Sequence, residues 1–272
     1  MAARHSASSR LAWPQQALRL ALLLLLCTLA LQGVWLMRVA LMRLLDPQSS
    51  SFQRSEAWRL LVDKHEVRWR QDWIDRPALG KHLQRAVLAS EDSGFTDHGG
   101  VEWEAIQGAW HKNQRAQERA QERAQRQNSR SPPNSPSGNA PTPASRAATV
   151  KVVGGSTITQ QLAKNLFLSG ERTVLRKAQE LLITLALEAL LPKDRILEIY
   201  LNQVEWGEGV FGAQAAAQHY FRIDAARLSA GQAARRAVML PAPKRYEKSP
   251  TSAYLQGRAA TVQARMGAVV LP

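Results

Sequence analysis

The chain has 272 residues, 45% of them apolar, which suits one sizeable folded domain with accessories and excludes a wholly disordered chain. Its formal charge of +14 implies attraction to a polyanion: nucleic acid, an anionic lipid surface or a phosphorylated substrate. The single cysteine, Cys27, excludes an intrachain disulfide and a cysteine-based metal site, so any chemistry must come from other residues.

Between Arg19 and Arg38 run eighteen uncharged residues, LALLLLLCTLALQGVWLM, which as a helix rise about 27 Å and span a hydrocarbon core. A cleaved signal peptide would have a shorter apolar region and a small-x-small cleavage site. Met37-Arg38-Val39 stands there instead. The reading is therefore a cytoplasmic tail over 1–19, carrying Arg4, Arg10 and Arg19, a retained transmembrane anchor over 20–42, and the bulk of the chain outside. Arg38 and Arg43 lie on the far side of the span and oppose that orientation.

Residues 43–80 read as a connector containing Trp58, Trp69 and Trp73 and ending in the turn-like Asp75-Arg76-Pro77. The domain proper is expected over 81–272. Apolar residues recur there at helical spacing around 81–91, 102–112, 157–167, 174–191, 194–201 and 228–240, so the domain is predicted to be mainly α-helical. A repeat, RAQE-RAQE-RAQR, followed by SPPNSPSGNAPTPAS, marks a low-complexity insertion at about 113–150. Its arginines suit anionic head groups, and a solvated tether without a partner fits as well.

Four segments carry candidate chemistry. In Glu91-Asp92-Ser93-Gly94-Phe95-Thr96-Asp97-His98-Gly99-Gly100, adjacent carboxylates end an apolar helix; Glu91 becomes a general base if partial desolvation raises its pKa. In Gly154-Gly155-Ser156-Thr157-Ile158-Thr159-Gln160-Gln161-Leu162-Ala163-Lys164-Asn165, paired glycines lead into a helix that Ser156 can cap, offering N–H groups to an anion. Gln160, Gln161 and Lys164 can face one cleft as donors to sugar or phosphate, and no nucleotide-binding Gly-Lys-Ser/Thr follows the glycines. Arg172, Arg176 and Lys177 with Glu180 open a strongly apolar helix, where the plain alternative is a surface salt bridge. In Arg195-Ile196-Leu197-Glu198-Ile199-Tyr200-Leu201-Asn202-Gln203 a structural helix is expected, with Glu198 and Asn202 orienting nearby loops.

Together these segments resemble the peptidoglycan glycosyltransferases, specifically the monofunctional biosynthetic transglycosylases, from about Leu83 to Tyr246 apart from the insertion. GGSTITQQLAKN is the most specific run, and it stands in order after EDSGF and before RKAQE and ILEIYLN. The resemblance implies a lysozyme-like helical fold and an inverting transferase at the bacterial inner membrane, single-pass, with its catalytic domain on the periplasmic side. It implies as substrates lipid II and the growing glycan strand, with undecaprenyl pyrophosphate released, and as further partners membrane lipids and cell-wall synthesis or division proteins, not nucleic acid. By motif position it makes Glu91 and Glu180 catalytic, Glu91 as base and Glu180 orienting the site, with a divalent cation such as magnesium. It assigns substrate binding to Asp92, Phe95, His98, Ser156, Thr157, Gln160, Gln161, Lys164, Asn165, Arg172, Arg176 and Lys177.

Two features depart from the family pattern: Glu102 replaces an aspartate in His-x-Gly-x-Asp, and the insertion lengthens the stretch between the first two motifs. No Ser-x-x-Lys is present, hence the monofunctional expectation. Two rival readings are a lysozyme-like hydrolase, which has no use for a diphosphate-binding cluster, and a basic membrane-tethered binding protein without catalysis.

Overall fold

A computed structural model describes residues 13–66, 68–128, 156–168, 170–171 and 173–272. The opening tail, the proline- and serine-rich run, Gly154, Gly155 and Arg172 lie outside the described residues.

The first helix, α1 (Trp13–Leu41), starts earlier than the apolar run, so residues 13–19, expected in the tail, are helical. Its stretch Gln15–Leu41, of mean hydropathy 2.3, is long and apolar enough to cross a bilayer. Among the described residues, only its last turns touch the rest of the protein. Val39 and Met42 join the hydrophobic core, while Gln32 exchanges side-chain hydrogen bonds with Gln179 at 3.3 and 3.4 Å. The Arg38 guanidinium stacks 5.1 Å from the Phe167 ring centre, and Arg195 donates to the Met42 carbonyl at 2.9 Å and to Asp46 at 2.6 Å. The anchor is thus joined to the domain by packing and hydrogen bonds, not by a loose tether.

The connector expected over 43–80 is also part of the folded body. Helix α2 (Ser51–Lys64) is opened by a capping box between Ser50 and Gln53, and the Gln53 side chain goes on to donate to the Gln203 carbonyl at 3.2 Å. Leu60 is buried beneath it. The sequence hid this because α2 shows charged and aromatic residues outward and buries few side chains.

Strand β1 (Arg70–Gln71) follows, and a short 3-10 turn (Arg76–Leu79) leads into α3 (Lys81–Glu91). Helix α4 (Trp103–Asn128) runs on well past residue 112, so the RAQE repeat belongs to a long helix. That is the physical outcome for a run rich in Ala, Gln, Glu and Arg, all good helix formers. After it come α5 (Ile158–Phe167), α6 (Val174–Leu190) and α7 (Lys193–Gln203), a hairpin of β2 (Glu205–Gly207) and β3 (Val210–Phe211), then α8 (Ala213–Phe221), α9 (Ala230–Ala237), α10 (Pro243–Tyr246) and α11 (Ala253–Arg265). The three short strands pair in the order β1-β3-β2, parallel across the first pair and antiparallel across the second. Gly209 makes the hairpin possible: its φ is +71°, and a Cβ there would fall 2.3 Å from the Arg68 carbonyl oxygen.

The core lies where α3, α5 and α7 meet α6, α8, α9 and α11. Leu83, Ala86 and Val87 on α3, and Ile158, Leu162 and Leu166 on α5, are buried at helical spacing. Asn202, at the end of α7, donates to the Ile74 carbonyl at 2.9 Å and accepts from the Ile74 N–H at 3.0 Å, clamping the segment before α3. Glu198 pairs with Arg195 at 3.0 Å on its own helix. Leu162→Ala, at a fully buried position, is expected to cost about 2–5 kcal/mol, measured as the shift in the urea midpoint of the detergent-solubilised chain.

Candidate active site

The site is built on a junction between the end of α3 and the start of α5. Asp92, just past α3, is buried; its Oδ2 accepts from the Ile158 N–H at 2.9 Å, one of the free amides at the N-terminus of α5. Its Oδ1 lies 2.9 Å from His98 Nε2, and His98 Nδ1 accepts from the Gly100 N–H at 3.1 Å. That pattern makes Nε2 the donor to Asp92.

The start of α5 is closed by a reciprocal box. Thr157 Oγ1 accepts from the Gln160 N–H at 3.2 Å, and Gln160 Oε1 accepts from the Thr157 N–H at 3.3 Å. Thr157 Oγ1 also donates to the Gly100 carbonyl at 2.6 Å. Gly100 has a φ of +83°, and a Cβ there would sit 2.7 Å from Glu188 Cγ. Glu188 is in turn held by Thr159 at 2.5 Å and Lys193 at 2.9 Å. The loop after Glu91 is therefore fixed on several sides.

This framework presents Glu91 at the mouth of a cleft of about 560 Å³, lined also by Ser156, Gln161, Lys164, Asn165 and Arg258. Glu91 Oε2 accepts from Gln161 Nε2 at 3.2 Å, and its Oε1 accepts from Ser90 Oγ at 3.1 Å. Gln161 is oriented by the fully buried Tyr200, whose hydroxyl donates to Gln161 Oε1 at 3.0 Å. Burial pushes the Glu91 carboxyl above its usual range, against hydrogen bonds from Gln161 and Ser90 and the charge of Arg258.

Lys164 and Asn165 line a second hollow of about 350 Å³, together with Glu171 and Arg176. Shared walls make the two hollows one groove. Desolvation by the groove lowers the Lys164 ammonium below its usual value, Glu180 opposes this, and Arg176 and Lys177 lower it further. Arg176 pairs with Glu180 at 3.0 Å, and Lys177 pairs with its other oxygen. Glu91 thus stands toward one end of the groove and Arg176 toward the other, with Lys164 lining both hollows.

The profile of the transglycosylase family matches residues 60–122 and 142–267. A biosynthetic peptidoglycan transglycosylase of Burkholderia thailandensis is 47% identical over 244 residues, covering 90% of this chain and 83% of its own. Proteins of the same name from Bordetella pertussis and Paraburkholderia phytofirmans are 45% and 42% identical, covering 91% and 90% of this chain and 91% and 88% of their own. The chain belongs to the transglycosylase family.

Within this transglycosylase, the structure places most of the residues singled out by motif in two groups, with Lys177 and Glu180 paired on α6 and lining neither hollow. Glu91, Ser156, Gln161, Lys164, Asn165 and Arg176 face the groove. Asp92, Phe95, His98, Thr157 and Gln160, expected to bind substrate, are instead turned into the framework: Phe95 is a core residue under the Lys193 ammonium, and the other four close the α3–α5 junction. The expected cap, Ser156, gives way to Thr157, whose extended backbone lets its hydroxyl reach the third helical amide. Glu102 is exposed, and Arg172 lies outside the described residues.

Glu180 does not offer a cation site as it stands. Both oxygens are engaged by Arg176 and Lys177, and among the described residues no three His, Cys, Asp or Glu side chains converge as ligands. Three site residues escaped the sequence: Tyr200 read as packing, Glu205 sits in a short strand, and Arg258 belongs to α11, beyond the recognisable motifs. Asp92→Asn is expected to cost about 1–3 kcal/mol by weakening a charged hydrogen bond to α5, read from thermal unfolding, with polymer synthesis lowered because Glu91 and Gln161 lose their register.

Proposed function

We propose that this transglycosylase polymerises lipid II into β-1,4-linked glycan strands. The observation that carries the proposal is the single groove shared by Glu91, Lys164 and Arg176. Glu91, ionised, takes the proton from the acceptor sugar 4-hydroxyl as that oxygen bonds to the donor anomeric carbon. The bond from that carbon to the diphosphate breaks on the opposite face, and the electron pair leaves with undecaprenyl pyrophosphate. Lys164, Arg176 and Lys177 stabilise the charge that develops there, with Arg172 assigned to the same task by motif. Attack opposite the leaving group inverts the α-phosphate into a β linkage. A hydrolase would need no such cationic end to its groove.

The membrane disposition supports the same reading. Beside α1, helix α6 exposes Val174, Leu175, Leu182 and Leu185, an apolar face that suits the lipid next to the anchor and would bring the diphosphate-binding end of the groove to the bilayer surface. With the amino-terminal arginines kept in the cytoplasm, the catalytic domain stands on the periplasmic side of the inner membrane.

Glu91→Gln keeps the shape of the side chain and removes the base, so glycan synthesis from lipid II is expected to fall by roughly 10²–10⁴ while circular dichroism stays unchanged. Because the ionised form is the active one and burial raises the pKa, kcat/KM should fall as pH drops, with its midpoint above the ordinary carboxylate range. A variant as active as the parent would remove Glu91 from this role.

A further inference from the structure

The cleft that holds Glu91 also holds a second carboxyl group, which the transfer described above does not use. Glu205, the first residue of β2, lines the same cleft as Gln161 and Arg258, yet only 4% of it is exposed. A buried carboxylate ordinarily takes a close cation. Here the nearest ammonium, Lys244 Nζ, stands 3.5 Å away and is held more closely by Glu56, which Arg59 pairs with as well. Beyond that, Glu205 accepts only a long hydrogen bond, 3.4 Å, from the Gly209 N–H. Glu56 has two cations and Glu205 a remote share of one.

Two carboxyls around one ammonium separate into an ionised and a neutral partner. Burial pushes Glu205 up to about 7, with Lys244 pulling down and Glu56 pushing up. Glu56, whose burial acts upward, is held below its usual value by hydrogen bonds from Arg59 and Lys244. A neutral carboxyl both donates and accepts, which matches a sugar hydroxyl or acetamido oxygen and does not repel an anionic substrate. With little of its surface open, Glu205 suits one directed hydrogen bond. The diphosphate end of the groove, at Lys164 and Arg176, is a different place.

We propose that Glu205 is a sugar-binding, specificity-determining residue of this cleft, held in position by Lys244 and, behind it, Glu56 and Arg59. The proposal rests on the transferase reading above and adds a residue to it. The charged groups around it are Glu56 and Arg59 from α2, Lys244 from α10, Glu208 paired with Arg59 and Lys64, and, along the cleft, Glu91, Arg258 and Lys164. Binding is strongest while Glu205 holds its proton and weakens as pH rises through its pKa. In the pH profile Glu91 sets the acid limb and Glu205 the alkaline one. Lys164, lowered by desolvation, titrates on the alkaline side as well, so a variant must separate the two.

The test measures kcat and KM for lipid II with the full chain in detergent, from about pH 6 to about pH 8.5. For the parent, KM is expected to rise with pH, approaching roughly tenfold per unit above the Glu205 pKa. Glu205→Gln keeps a donor that cannot ionise, so its KM should stay flat over the same range while kcat keeps the acid limb. An alkaline rise in KM that persists in Glu205→Gln assigns the limb to Lys164 and overturns the proposal. So does a parent KM indifferent to pH, a result that needs no variant to fold. Polymer made by the parent and lost in Glu91→Gln tests the transferase reading separately, so either can fail alone.

Discussion

The site depends on one buried carboxylate placed at the end of one helix and the beginning of another. Asp92 joins α3 to α5 by accepting the Ile158 amide, although the two residues are far apart in the chain and a long basic helix leaves between them. An N-terminal amide of a helix is an unsatisfied donor in a partly positive field, so a carboxylate there meets both the hydrogen-bonding and the charge requirement. Glu91 precedes Asp92, and Gln161 follows Ile158 by three residues. Fixing the junction therefore fixes the 3.2 Å hydrogen bond between the Glu91 carboxylate and the Gln161 amide.

The same economy explains which parts of the protein could be read in advance. Helices α3, α5, α6 and α7 bury apolar residues at regular spacing, and that spacing is visible in the sequence. Helix α2 was not visible as part of the body, because its attachment is polar: Gln53 bonds the end of α7, and Glu56 serves a cluster completed by Lys244. The sequence identifies a residue type but not its direction. Thr157, Gln160 and His98 have the chemistry of ligand-binding residues, and in the fold that chemistry is spent on amides and carbonyls of their own framework. Arg258 and Glu205 reach the cleft only through tertiary packing, from a terminal helix and a three-residue strand, so no local periodicity or motif pointed to them.

Helix α1 is tied to the domain by side-chain contacts as well as by the chain itself. Gln32 with Gln179 and Arg38 with Phe167 tie α1 to α6 and α5, the helices that carry Lys177 and Lys164. The groove's cationic end is consequently held at a set distance from the membrane-spanning segment. In the proposed transfer, where a diphosphate joins a water-soluble sugar to a lipid chain, that distance constrains binding: the charges have to meet the head group at the level where the chain leaves the bilayer. A flexible connector would forfeit it, and the polar docking of α2 replaces one.

Three glutamates in this domain show how one side chain acquires three uses. Glu180 has two cations in contact and acts as their counter-charge, holding Arg176, which lines the groove, and Lys177 beside it. Glu91 has neutral donors and partial burial, so its ionised form is tolerated but made more basic. Glu205 is buried and shares one ammonium, that of Lys244, with Glu56, and burial pushes its carboxyl up to about 7. Identity of the residue is constant, so the difference comes from how many positive charges lie within ion-pair distance and how much water is excluded. Among the described residues cationic pairing is full at Glu180 and absent at Glu91, which is the order the proposed transfer requires if charge is to be neutralised where it leaves and basicity kept where a proton is taken.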